Sequence, residues 1–441
     1  MNLPLRRLHW SALRANRGFQ LLLMSLVTAS ALLARTSLGP LQETMRVAMA
    51  LNDNQMALLQ GPPLAFGAIA TVPLGILIDR YSRVLLIWCF AVLGLLATGL
   101  TAAASSVAVL FAARCLTGLS AAALFTTVLS LLADWFPPNQ RGRATMAVAL
   151  GAAAGLSGAF ALGGFLLDMI GARASSWRWA MLGLGIPLIV GLLFIGALQE
   201  PSRAGSIAQK PHAREVYAAL WRYRAMMLPL TLGFALVAGI ADGAAVVWAA
   251  PTLSRAFELT PRHVGAIMAS VLLINGLVGP MLGGVLADLG QRTGGPYRTV
   301  TALSGLLFLS IPTGLFPLAP RVAPASVGLV AFLVSGNSFQ IAIVVLITII
   351  IPNELRASCL TVMFGIASLF AFGVAPLLVS HLSVALGGEG MIGKSLALIC
   401  VASSLVCAVT FWFGRRSFRG LSVQGPGTQQ LQHCTASGSC Q

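Results

Sequence analysis

A chain of 441 residues with 57% hydrophobic and only 9% charged residues cannot cover itself with the polar groups a water-soluble protein needs. Its net charge of +16 would suggest nucleic acid in a soluble protein. Here, however, the basic residues flank apolar runs instead of forming one patch, which excludes that partner and implies a lipid bilayer. The chain begins with a basic head (1–17) carrying Arg6, Arg7, Arg14 and Arg17. The apolar run that follows exceeds signal-peptide length and more runs come after it, so it is read as retained. A backbone in lipid must satisfy its own hydrogen bonds, so every run long enough to cross is expected to be a helix. The spans are placed at 18–40, 55–78, 84–104, 107–133, 143–167, 178–198, 226–252, 262–287, 299–318, 323–351, 357–385 and 391–413, with Gly387–Gly388 as the main divider of the last pair. A polar linker (200–225) separates a first bundle (18–199) from a second (226–414), and the Gly/Ser/Gln-rich tail (415–441) reads as disordered. The fold class is therefore an all-α membrane protein of twelve transmembrane helices in two pseudo-symmetric six-helix bundles.

With both termini on the cytoplasmic side of a cell membrane, 19 of the 28 Lys and Arg fall on that side, and only Arg35 and Arg114 fall inside spans. This is the positive-inside bias. The two halves also repeat. LGILIDRYSR (74–83) is echoed by GGVLADLGQR (283–292), and FPPNQRGRA (136–144) by IIPNELRA (350–357). A duplicated six-helix unit is a signature of secondary transporters, with the solute site between the halves near mid-membrane. The seven cysteines show no metal-ligand spacing, and no cofactor is expected.

On these motifs the chain resembles the major facilitator superfamily over nearly its whole length. GILIDRYSR (75–83) is similar to the family's signature loop between spans two and three, with Gly75 for close helix approach, Asp79 as an acid, and Arg80 and Arg83 as basic partners. Ser82 stands where the family usually has Gly. DNQMALLQG (53–61), Ala113-Arg114, SLLADWFPP (130–138) with RGRA (141–144), Leu162-Gly163-Gly164 and SWRWAMLGLGIP (176–187) are most similar to the bacterial spinster-like group. That group usually carries Asp-Arg in span one and Gly-Glu-Ala in span four. This chain has Ala34-Arg35 and Ser120-Ala121-Ala122, so the carboxylates that the resemblance would make proton carriers are missing.

Ionisable residues inside a span are costly, about 2.5–3.5 kcal/mol on insertion scales, and so face cavities or partners. Arg35 shares a helix face with Thr28, Ala31, Gly39 and Gln42, a stripe suited to lining water. Either it serves a cavity or it is a structural Arg bonded to nearby carbonyls. The same alternatives hold for Arg114, which the resemblance places facing the central cavity. Asp242 is the one acid near the middle of any span. It either pairs with Arg35 or Arg114 and exchanges a proton, or forms a permanent salt bridge. Asn275, Asn337 and Gln340 add polar groups, as ligands or as interhelical glue. Trp248, near the end of span seven, reads as an interface anchor, with a cavity wall as the alternative. At the cytoplasmic ends, Asp79, Arg80 and Arg83 are expected to pair across the seam with Asp134, Arg141 or Arg143, and Asp288, Arg292, Glu354 and Arg356 to do so in the second half. Such pairs would form an inner gate.

The expected function is secondary transport of a small organic solute, anionic or amphiphilic, by alternating access, with a proton as candidate coupling ion and a monomer as working unit. An uncoupled facilitator and a non-transporting receptor on the same fold are the alternatives. The sequence has no HExxH motif, no Ser/His/Asp constellation and no GxxxxGK[ST] loop, so neither an enzyme nor an ATP-driven pump is indicated.

Overall fold

The structure, a computed structural model, describes residues 16–171, 173–201, 221, 224–351 and 353–418. Nearly all of the basic head, the 200–225 linker and the tail therefore lie outside the described residues. Those described are helical, with no strand among them. Ten stretches are long and apolar enough to cross a membrane. One of these, Pro261–Leu318, breaks at Gly294–Gly295 into two crossings, and helix Pro62–Arg80 adds another, which makes the expected twelve. At Gly295 φ is +69°, a conformation glycine adopts without strain. The eighth and ninth spans thus run almost to that break, where the sequence pattern suggested an eleven-residue loop (288–298). Span two likewise starts as two pieces, Asp53–Gln60 and Pro62–Arg80, the first closed by a capping box of Asn52 and Gln55.

Buried apolar residues form three clusters, and their division positions everything that follows. One lies wholly in the first six spans, from Leu23 to Leu198, towards the end where both termini emerge. A second lies wholly in the last six, from Met227 to Phe418, at the same end. The third joins the halves at the opposite end, where Leu38, Met45 and Leu59 share a core with Trp248, Met268 and Val379. The halves are fused at one end and carry separate cores at the other. Large apolar side chains such as Leu193, Leu309 and Phe413 remain well exposed on the outside, as lipid contact requires.

Lipid is as apolar as leucine, so helices associate here by close van der Waals packing and hydrogen bonds. Small residues provide it in matching places of the two halves. A Cβ on Gly155 of span five would meet the Ala29 carbonyl oxygen of span one at 2.1 Å. A Cβ on Gly243 of span seven would meet the Ala371 carbonyl oxygen of span eleven at 1.8 Å. The second contact joins two π-helical segments, Gly239–Ala245 and Leu369–Val374, that interrupt the seventh and eleventh spans. A π-turn inserts one residue and frees backbone groups, and such turns recur at functional sites. Asp242 lies within the first of them.

Candidate functional site

The candidate charged residues stand where helices of the two halves approach each other. Arg114, only 2% exposed, comes from helix Val107–Trp135 and donates from Nη2 to the backbone oxygen of Arg35 at 2.7 Å. Its Nε is buried without a partner, and no ion pair with a described residue neutralises it. Arg35, the penultimate residue of helix Arg17–Thr36, crosses towards the second half and lies over the Phe372 ring, 4.9 Å from its centroid. Asp242 accepts a hydrogen bond from Gln340 Nε2 at 3.1 Å. The charges of Arg35 and Asp242 act on each other, yet the two side chains form no ion pair. The Arg35 and Arg114 charges also act on each other, as like charges. Arg35 thus lies within electrostatic reach of one like charge, Arg114, and one opposite charge, Asp242.

Asn275, 9% exposed, pairs with Asn337, whose Nδ2 lies 3.3 Å from the Asn275 backbone oxygen. This pair bonds spans eight and ten within the second half. Much of the stripe around Arg35 is taken up by packing. Thr28 is fully buried and bonds to the Met24 oxygen, Gly39 packs against Phe160, and Gln42 is buried against Gln60. A run of small residues on one face suits tight packing as well as a cavity, and here packing took it. Trp248 is likewise no interface anchor: it is fully buried and its Nε1 donates to the Pro376 oxygen at 3.0 Å.

At the terminal end Arg83 and Asp134 come together, but within the first half. Arg83, 4% exposed, donates to Asp134, to Glu200 Oε1 at 3.0 Å and to the Ser130 oxygen at 3.2 Å. Glu200, at the end of span six, also accepts from Ser82 Oγ at 3.0 Å and from the Val84 N–H at 2.9 Å. Burial pushes the Glu200 carboxyl up, but these donors outweigh it and hold the group below its ordinary value. Arg141 donates to the Phe136 oxygen at 3.0 Å, and Arg356 reaches the Ile351 oxygen at 3.5 Å. Arg80, Arg143, Asp288 and Arg292 are exposed. A Cβ at Gly75 would meet nothing within 4 Å, so no close helix approach uses that glycine in this conformation. The side chains of Asp79 and Glu354 lie outside the described residues.

At the opposite end stands a cluster that sequence reasoning missed. Arg255, near the end of helix Val246–Phe257, grips Asp53 with two bonds, Nη1 to Oδ2 at 2.8 Å and Nη2 to Oδ1 at 2.7 Å. It also donates to Glu43 Oε2 at 2.9 Å and 3.1 Å, and Glu43 holds Arg46 at 2.7 Å through its other oxygen. Asp53 is 1% exposed. The clasp joins span seven to spans one and two, that is, one half to the other. Beside it Arg262 approaches Asp168 at 3.5 Å, and Ser157 Oγ donates to the Ala269 oxygen at 2.7 Å. The available signal was the presence of acids at a face with few basic residues.

Twelve apolar spans in two bundles, joined at one end by a shared core and the Arg255 clasp, define a multi-pass membrane protein. The family comparison is direct: the model of the Major Facilitator Superfamily matches residues 24–379, and the chain belongs to that superfamily. Among solved structures, a bacterial homolog of the human lysosomal transporter Spinster, in an inward-facing and unoccupied conformation, superposes with a TM-score of 0.78 at 22% identity, covering 91% of this chain and 97% of that one. A D-xylose-proton symporter superposes with a TM-score of 0.69 at 16% identity, covering 89% and 97%. Among curated proteins, solute carrier family 22 member 7 of Bos taurus is 34% identical over 131 residues, 29% of this chain and 22% of that relative. The Homo sapiens protein of the same name is 30% identical over 154 residues, 34% and 26%. The matched stretch thus spans about a quarter of those relatives.

Proposed function

We propose that this protein is a secondary transporter that carries an organic anion through the pocket of Arg35, Arg114 and Asp242 by alternating access. The observation that carries the reading is Arg114, a buried guanidinium at mid-membrane with no carboxylate of its own. A charge so placed is costly unless something compensates it, and a planar guanidinium matches a carboxylate or phosphate with paired hydrogen bonds. Phe372 beside Arg35 suits the apolar body that such an anion carries. Asn275, Asn337 and Gln340 fix the second-half wall of the same pocket. The basic terminal end is the cytoplasmic face of a cell membrane by the positive-inside rule, which makes the fused end the outer face. The three-cluster core then describes a carrier shut outside by the Arg255 clasp. Asp79, Arg80, Arg83, Asp134, Arg141, Arg143, Asp288, Arg292, Glu354 and Arg356 line the inner face and form the gate that shuts when the helix ends rock together, with Arg83 held ready by Asp134 and Glu200.

The test is uptake by the purified protein in proteoliposomes. Labelled benzoate, succinate and glycerol 3-phosphate are offered alongside a lysophospholipid. Saturable uptake of at least one of the three anions is expected. Uptake of the lipid alone would overturn the anion reading.

A further inference from the structure

Two adjoining grooves lie in the second bundle, at the end away from the termini and apart from the charges around Arg35. The first, of about 510 Å³, runs between the turn after span nine (Leu315, Leu318), the turn after span eleven (Leu386, Met391) and span twelve. The second, of about 350 Å³, runs between the first of those turns and the start of span ten at Pro324 and Gly328. Leu315 and Leu318 line both grooves and form the ridge that divides them. On span twelve the lining positions are Lys394, Ala397, Leu398 and Val401, a spacing that puts them on one face of helix Ile392–Gly414. Lys394, in the first turn of that helix, is exposed at the mouth, and the other three lie progressively deeper.

The hollow is open towards the bilayer, for Leu315, Leu318, Leu386 and Leu398 are each about half exposed. Its floor is firm. The turn Phe316–Leu318 packs on span twelve, and a Cβ at Gly314 would already meet the Cys400 Cβ at 3.2 Å. Apolar walls alone make no selective site in a membrane, because lipid tails are as apolar as leucine and any tail fills them equally. Selectivity needs a polar group at a fixed depth. Lys394 is the one ionisable residue that lines either groove. A lysine lays its stem along apolar surface and holds its ammonium at headgroup depth. The positive-inside bias disfavours cations at this end, so topology gives no reason for a lysine here.

We infer that the two grooves hold the two acyl chains of one anionic phospholipid, astride the ridge of Leu315 and Leu318, with its phosphate on the Lys394 ammonium. Both volumes fall within the roughly 300–1,000 Å³ of ordinary ligand sites. In the orientation argued above, the lipid belongs to the outer leaflet. Lysine meets phosphate as a point charge. An anionic headgroup leaves a net negative charge for it, whereas a zwitterionic headgroup carries its own cation. One basic residue near a lipid surface is worth about fivefold in partition.

The experiment reconstitutes the full chain in liposomes of equal parts phosphatidylglycerol and phosphatidylcholine. A trace of one lipid or the other carries a photoreactive group on its acyl chain, and the labelled peptides are mapped by mass spectrometry. Peptides holding residues 315–318 and 397–401 should label about fivefold more with the phosphatidylglycerol probe, and added salt should weaken that preference. Lys394→Gln should label equally with both probes, and Lys394→Arg, which keeps the charge, should retain the preference. Leu398→Trp, which fills the first groove, should lower labelling of residues 315–318 by either probe. A melting temperature near wild type for each variant confirms that it is folded. Equal labelling by the two probes in the wild-type protein would mean bulk lipid contact only and would overturn the site. So would a preference that survives Lys394→Gln, or labelling confined to other peptides.

Discussion

Replacing Arg114 by Ala is expected to abolish anion transport while the protein still folds. The guanidinium is 2% exposed and pairs with no acid among the described residues, so a bound anion would supply a counter-charge. Removing one partner of a desolvated charge pair costs about 2–5 kcal/mol, and each 1.4 kcal/mol is about tenfold in affinity. Binding should therefore weaken by roughly 30-fold to several thousand-fold, beyond detection for a millimolar ligand. The variant also loses the bond from Nη2 to the Arg35 oxygen, so a structural contribution must be separated. Thermal unfolding without ligand does this. A melting temperature close to wild type, with loss of the anion-dependent shift, assigns the effect to the site. Arg114→Lys keeps the charge but not the planar fork, and should fall between the two. Wild-type affinity in Arg114→Ala would remove this residue from the binding site.

The second large effect is conformational. Arg255→Ala deletes the clasp that ties span seven to Glu43 and Asp53. Asp53, 1% exposed, then loses both bonds from Arg255, and breaking a buried ion pair costs up to about 3–5 kcal/mol in the closed form. Opening the outer end returns Asp53 to water, so the equilibrium moves towards the outward-open form by roughly two orders of magnitude or more. Cysteines introduced at Thr44 and Ser254, near this seam, should react with a membrane-impermeant thiol reagent added from outside much faster than in wild type. Uptake should slow, because a carrier biased to one side returns slowly. Unchanged labelling would mean that apolar packing of Leu38, Met45 and Trp248 holds the end shut without the clasp.

Part of this was legible in the residues alone. Arg35, Arg114 and Asp242 stood out because a charge in an apolar run has few structural excuses, and the fold brings Arg35 within electrostatic reach of each of the other two. Gln340 was visible as a polar side chain, although its bond to Asp242 depends on span packing that no periodicity reveals. The π-segment around Asp242 was not visible, because GIADGAA (239–245) reads as ordinary small-residue helix until span eleven is packed against it. The clasp was hidden for another reason. Glu43, Asp53 and Arg255 lie at span ends, where charges are unremarkable, and their pairing joins positions 202 and 212 residues apart. Arg83 shows the converse. The motif marked it correctly as paired, but its partners Asp134 and Glu200 belong to its own half, since the terminal ends of the two bundles keep separate cores.

The central claim is that two bundles rock around one pocket, open to one side at a time. Two pairs of spin labels in reconstituted protein test it most directly: Ala48 with Ala256 across the fused end, and Gln140 with Thr293 across the terminal end, all four exposed. Adding a transported anion under turnover should lengthen the first distance and shorten the second together, in populations that never show both ends wide. Distances at both ends that stay fixed whatever is added, or that open at once, would contradict it.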